Sequence, residues 1–474
     1  MILEHWIDGA ARASIDGQTV ELAQGARAAA PIRVARGGAA DVDGAVQAAA
    51  AATSSWRSLS AKDRGRMLRA ASELIRERVD DLVEEEVLDT GKPRSLAAAE
   101  ISGAADYFEF YSTLVNLPVG DVLDVQPGLH VHTVREPYGV VGIITPWNLP
   151  MNQAARAVAP ALAAANTVVL KPAEVTPTTS VRMAEVLRDA GVPAGVFNVV
   201  LGQGSVAGMA LVRHPAVRKL AFTGSVPVGR EIGRVAAERV LPLTLELGGK
   251  SACIVFEDAD LDLASREVVR AFTTNAGQVC SSGTRLLVEE SIREDLVSRV
   301  AQIVADLREG EHIGPLITDQ QARTVRDYLS IAEQEGANPV VGGRVADERA
   351  GEKCFIPPTV YDRVTNDMRI AREEIFGPVL AVISFTSEGE AVRLANDSDF
   401  GLVGGVFSGD VARGLRVASQ LEVGQAYVNS WSTQSVEMPF GGHKLSGYGR
   451  EKGIEAINHY SQVKSISLNL GAIQ

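Results

Sequence analysis

Residues 140–171 read VVGIITPWNLPMNQAARAVAPALAAANTVVLK, and the order of elements in this stretch decides the fold. Val140-Val141-Gly142-Ile143-Ile144 is an apolar run of strand length. Residues 152–165 are Ala-rich and read as helix, and Thr167-Val168-Val169-Leu170 returns to strand. Strand, helix, strand in that order predicts two parallel strands joined by a covering helix. Pro160 and Asn166 interrupt the apolar text, so it reads as helix then strand and not as a membrane span. Downstream, residues 177–190 are helical, and Phe197-Asn198-Val199-Val200-Leu201 and Lys219-Leu220-Ala221-Phe222 repeat the strand signal. A second cycle runs from near residue 251 to about 445, which predicts two α/β domains.

Upstream, Ser60 with Asp63 forms an S-x-x-D cap, and Leu68, Ala71, Ile75, Val79 and Leu82 follow at helical spacing until Gly91 and Pro93 stop the helix. His130 to Arg135 and the tail near residues 459–470 alternate as strands outside the main pattern. The formal net charge of −13 comes from 46 basic and 59 acidic residues, with no basic stripe, and argues against nucleic acid as a partner. Three scattered cysteines argue against a disulfide framework and fit a reducing, cytoplasmic setting. No Cys/His spacing suggests a metal, and His214, His312 and His443 read as structural or surface residues. The N-terminus lacks the basic start and apolar run of a signal peptide.

Several segments can carry chemistry. Gly202-Gln203-Gly204-Ser205-Val206-Ala207 and Phe222-Thr223-Gly224-Ser225-Val226-Pro227-Val228-Gly229 each follow a strand and offer backbone N–H groups to a phosphate. The pattern does not choose between them, and either could be an ordinary turn. Glu246 ends an alternating run before Gly248-Gly249, as a catalytic carboxylate or as a solvated edge residue. Cys280 lies among glycines and small polar residues, as a reactive thiol or as a small buried apolar group. Cys253 reads as core and Cys354 as loop or packing. Pro146-Trp147-Asn148 and Lys171-Pro172-Ala173-Glu174 each end a strand, where parallel sheets collect ligands.

Together these segments resemble the aldehyde dehydrogenase superfamily. The matching pieces, in family order, are Pro146-Trp147-Asn148, Lys171 to Glu174, Phe222 to Ser225 with Gly229, Leu245-Glu246-Leu247-Gly248-Gly249-Lys250, Gly277-Gln278-Val279-Cys280, Glu373-Glu374-Ile375-Phe376-Gly377-Pro378, and Pro439-Phe440-Gly441-Gly442 with Ser446 to Arg450. The resemblance implies an α/β fold with a doubly wound parallel-sheet cofactor domain, an α/β catalytic domain and a small β oligomerisation element. The expected boundaries are 1–118 and 138–247, 248–445, and 119–137 with 446–474.

The resemblance further implies an enzyme that oxidises an aldehyde to the acid with NAD, NADP being the other cofactor admitted. Cys280 becomes the nucleophile, Glu246 the base that hydrolyses the thioester, and Asn148 with the Cys280 N–H the oxyanion hole. Trp147, Lys171, Glu174, Gly224, Ser225, Gly229, Leu247, Glu374 and Phe376 are expected on the cofactor. The 202–207 turn is then expected nearer the adenine. Leu149, Arg156, Val279, Ser281, Gln434 and Phe440 are expected to shape the substrate tunnel. The usual Asn-Pro start is missing, with Ala30-Pro31 roughly there, and Leu149 and Arg156-Ala157 replace the usual Phe and Trp-Lys. Arg156 has two readings: a tunnel cation that selects acidic or hydroxylated aldehydes, or a structural partner of an acid. A homodimer or homotetramer is expected, with no membrane or nucleic-acid partner. A coenzyme A-acylating enzyme and a non-catalytic homologue are the rivals; Glu246 argues against the first, and intact Cys280, Glu246, Asn148 and Glu374 argue against the second.

Overall fold

The computed structural model describes residues 2–23, 25–117, 119–343, 354–431 and 435–471. The deciding stretch folds as strand Val140–Ile144, helix Pro150–Ala163 and strand Thr167–Lys171, and the two strands pair in parallel. Every residue of both strands is buried, as interior strands covered on both faces must be. Pro150 sits in the first turn of the helix, where its missing N–H costs no intrahelical bond.

Five parallel strands form the centre of an eight-stranded sheet, in the order Leu243–Glu246, Val217–Thr223, Val140–Ile144, Thr167–Lys171 and Phe197–Val199. Antiparallel strands close both edges, Gly447–Tyr448 on one side and His5–Ile7 with Ala10–Arg12 on the other. The chain builds outward from Val140–Ile144, then returns to that strand's other side with Val217–Thr223. Such a reversal opens a crevice outside the carboxyl ends of the two strands, and residues 145–148 and 224–229 lie there.

The second sheet has seven strands, in the order Asn338–Val341, Thr359–Asp362, Val379–Phe385, Arg285–Glu289, Ala252–Val255, Val403–Phe407 and Gln425–Val428, all parallel but the first. Residues 247–251 carry the chain from the carboxyl end of the first sheet to the amino end of the second. Strand Ser461–Asn469 pairs along its whole length with Leu129–Pro137 in a separate three-stranded sheet.

Some local expectations shift. The cap at Ser60 forms, with its hydroxyl accepting from the Asp63 N–H. The expected single helix, however, is two, Ala61–Glu77 and Val79–Thr90, broken at Arg78, and Gly91 ends the second at φ 71°. Gly447–Tyr448, expected with the tail, instead joins the first sheet. The reason is Gly447: at φ 115° a Cβ there would lie 2.0 Å from the Leu245 carbonyl oxygen, so only glycine lets the strand dock. Among the described residues no helix is long and apolar enough to cross a membrane, and no group of three or more His, Cys, Asp or Glu could hold a metal.

Candidate active site

The segment before Cys280 is bent by three successive left-handed residues, Asn275 (φ 52°), Ala276 (φ 53°) and Gly277 (φ 72°). Two of these are not glycine, so the bend is held against a backbone cost of about 1–3 kcal/mol per residue. Side-chain amides hold it. The Asn275 amide donates to the Asn148 carbonyl at 3.0 Å, and the Gln278 amide donates to the Asn275 carbonyl at 2.9 Å while accepting from the Ile317 N–H. A Cβ on Gly277 would lie 2.2 Å from the Gly377 carbonyl oxygen, so the loop also presses against the segment that carries Glu374 and Phe376. Asn148 is tied into the same loop, its Nδ2 donating to the Gln278 carbonyl at 2.8 Å. Its own carbonyl accepts from the Lys92 ammonium at 3.0 Å.

Cys280 opens into a cavity of about 360 Å³ that Leu149, Arg156, Val279, Ser281 and Phe440 also line. Gln434, the sixth expected tunnel residue, lies outside the described residues. Burial pushes the Cys280 thiol up to about 11, against the pull of the Arg156 guanidinium. Cys253 is wholly buried in the core, and the Cys354 thiol donates to Asp319.

Glu246 ends strand Leu243–Glu246, flanked by Thr223 on one side and Gly447 on the other. It is not a solvated edge residue: it is 1% exposed and, among the described residues, neither carboxyl oxygen has a hydrogen-bond partner. Burial and the charge of Glu451 hold its pKa well above the ordinary carboxylate range, and Arg156, Arg450 and Lys452 oppose them. Arg156 ion-pairs with Glu451 and lies 5.0 Å over the Phe440 ring. Burial works against its charge, and Glu451, Tyr107, Cys280 and Glu246 together more than restore it. Both readings of Arg156 are thus partly realised, since it lines the cavity but its charge is taken by an acid.

The groove on the other side gathers the remaining expected residues. Ser225 precedes helix Val226–Glu238, whose first turn presents backbone N–H groups without intrahelical partners, and Pro227 sits within that turn. A Cβ on Gly229 would lie 2.7 Å from the Leu247 side chain, so this helix packs closely on the strand's end. The Trp147 and Phe376 rings meet edge to face, centroids 5.3 Å apart. Glu374 accepts from the Gly249 N–H at 3.1 Å, and burial pushes its carboxyl up to about 7. Glu174 lies 3.9 Å from the Lys171 ammonium and accepts from the Gly204 N–H, which brings the 202–207 turn to the same corner.

Sequence reading missed the polar layer beneath the cavity: buried Glu451, Tyr107, Gln153 and the Lys92–Glu100 ion pair, with half-buried Lys452 in the cavity lining. Glu451 and Lys452 directly follow the Arg450 that ends the last matched motif, and that adjacency was the available signal.

Two open, mainly parallel sheets gather a thiol, a buried carboxyl and an amide where their ends meet, the place at which an α/β enzyme of this architecture collects its ligands. The chain belongs to the aldehyde dehydrogenase family, whose model matches residues 13–466. It is similar in structure to an NAD-dependent aldehyde dehydrogenase from Sinorhizobium meliloti (39% identity, TM-score 0.96, covering 99% of this chain and 95% of that one). It is also similar to HpcC from Thermus thermophilus (40%, 0.94, 99% and 94%). Betaine aldehyde dehydrogenase from Staphylococcus aureus, solved with NAD+, is a third such structure (36%, 0.95, 98% and 94%).

The thiol's environment sets its reactivity in the cofactor-free protein. Only the thiolate is alkylated, and its fraction grows about tenfold per pH unit below the thiol's own value. Iodoacetamide modification of Cys280, followed by peptide mass spectrometry, should therefore climb steadily from pH 7 to beyond pH 10. A plateau near pH 8 would show that the thiol is not held up.

Proposed function

We propose that the protein oxidises an aldehyde to the carboxylic acid with NAD, through a thioester on Cys280 that is hydrolysed by water activated by Glu246. The observation that carries this is the pairing of a cavity-facing thiol with a buried carboxyl whose two oxygens have no protein partner. A buried acid left without a hydrogen bond is costly, and a water bound during turnover would meet that demand. Asn148, locked to the Cys280 loop, offers its second amide hydrogen to the oxygen of the tetrahedral adduct, beside the Cys280 N–H. As a base, Glu246 must first lose its proton, which Arg156, Arg450 and Lys452 favour.

The groove fits the cofactor. Lys171 is buried with its ammonium pushed down to about 8, a donor suited to neutral ribose hydroxyls. Glu174 beside it suits the same hydroxyls and repels a 2′-phosphate. Ser225 and the turn beginning at Val226 suit the pyrophosphate, with Gly224 leaving room, and Glu374 and Phe376 suit the nicotinamide side. NAD, when bound, supplies the electron acceptor.

A partner subunit belongs to this reading. Strand Ser461–Asn469 is the edge of its sheet and exposes Val463, Ile466 and Leu468, with Leu470 just beyond. An edge strand exposed from Gln462 onward, with three apolar side chains, invites pairing. We place the domain boundaries near those expected from sequence, with 447–448 moved to the cofactor domain.

Three outcomes are expected. Cys280→Ala should abolish NADH formation from aldehydes, and Glu246→Gln should cut steady turnover by about 10²–10⁴-fold while leaving one rapid equivalent of NADH per site. Loss of that burst, with acylation slowed equally, would remove Glu246 from hydrolysis. The ratio of kcat/KM for NADP over NAD should lie below one and rise in Glu174→Ser; a wild-type ratio above one refutes the assignment. Sedimentation should find a dimer or tetramer that Val463→Asp with Leu468→Asp splits, and a monomeric wild type would contradict the pairing.

A further inference from the structure

Among the described residues, the cavity over Cys280 carries one cation that nothing neutralises. Arg156 is taken by Glu451, Arg270 by Glu267 at 2.7 Å, and the acids Asp106 and Glu100 by Arg76 and Lys92. Lys452 lines the same cavity, and no described residue gives its ammonium a hydrogen bond or an ion pair. Its neighbours there are the rings of Phe440 and Tyr107, at 5.4 and 6.0 Å.

The backbone shows that this placement is imposed. Glu451 is fixed to Phe440 by reciprocal backbone hydrogen bonds of 2.8 and 2.6 Å. Gly453 opens helix Gly453–His459, so close to the chain that a Cβ would lie 2.6 Å from the Glu437 carbonyl oxygen. Between these two anchors Lys452 adopts φ 60° and ψ 171°, a region that is almost exclusively glycine's. A lysine there is strained, and the turn delivers its side chain to the cavity.

We propose that Lys452 is an anion handle, so that the preferred substrates are aldehydes bearing a carboxylate at the end remote from the carbonyl. The inference rests on the aldehyde-oxidising reading above. The carboxylate ion-pairs with Lys452 while the carbonyl carbon faces the Cys280 thiol. A quaternary ammonium aldehyde of similar size is repelled. Arg156, Cys280, Glu451, Glu246 and Tyr107 face the same ammonium. Burial pushes it down to about 8, so the ion pair is present below that pH and is lost as pH rises through it.

The test compares kcat/KM for 5-oxopentanoate and for pentanal in wild type, Lys452→Met and Lys452→Arg, and titrates glutarate calorimetrically into each. Taking the ratio of the two aldehydes cancels effects on Cys280 and Glu246. Wild type should prefer 5-oxopentanoate, with the preference falling above pH 8. Lys452→Met should lower the ratio about 10- to 100-fold, chiefly through KM, and weaken glutarate; Lys452→Arg should restore part of both. Should the Met variant not fold, Lys452→Gly removes the amine and suits the backbone. An unchanged ratio, or a wild type that prefers pentanal or betaine aldehyde, overturns the handle and leaves aldehyde oxidation standing. If no aldehyde is oxidised, the reaction is wrong, and glutarate binding alone decides: dependence on Lys452 keeps the handle, and its absence refutes it.

Discussion

The site depends on how closely the backbone at Gly248-Gly249 is approached where the chain passes from one sheet to the other. A Cβ on Gly248 would fall 1.9 Å from a Glu374 carboxyl oxygen, and one on Gly249 would fall 2.5 Å from the Cys280 carbonyl. Glu246 stands just before this crossing, and Glu374 and Cys280 press on it from the second sheet. With no side chains at Gly248 and Gly249, residues more than thirty and more than a hundred positions apart come within hydrogen-bonding or contact range. The crossing also fixes the polarity of the arrangement: the carboxyl ends of the first sheet face the amino ends of the second.

Burial gives the groups gathered there their character. Glu246 and Glu451 are two nearly inaccessible carboxyls in one electrostatic neighbourhood, and two such charges cannot both be carried cheaply. Arg156 resolves the conflict by pairing with one of them, which leaves Glu246 as the member whose protonation state is free to change. The same guanidinium lowers the cost of a thiolate on Cys280. A single buried arginine thus conditions both titratable groups without contacting either through a hydrogen bond.

The alternation around residues 140–171 was readable because each strand is buried on both faces and so is apolar throughout. The pairing of Gly447–Tyr448 with Leu243–Glu246 was not, because two residues carry no periodicity and the pairing depends on a positive φ. Local text also could not separate a catalytic Glu246 from a solvated one. What buries that residue, a strand some two hundred positions later, leaves no mark near it. Cys280 was ambiguous for the same reason, since the bend at 275–277 includes an Asn and an Ala that give no local warning. Ordered motifs resolved both by resemblance, but Lys452 lies just past the last of them and escaped.

Two segments with non-glycine residues at positive φ serve the same cavity: 275–276, which lead to the lining residues Val279 and Cys280, and Lys452, which lines it directly. Each is pinned on both sides, the first by Asn148, Gln278 and Gly377, the second by Phe440 and the glycine that opens the next helix. Strain of this kind persists only where the surroundings over-determine the conformation. In the first segment the bend turns a thiol toward the cavity, and in the second it turns an amine. In the proposed binding mode these are the two places from which the two ends of a short, linear substrate are held, and a relaxed conformation at either would withdraw one of the two groups.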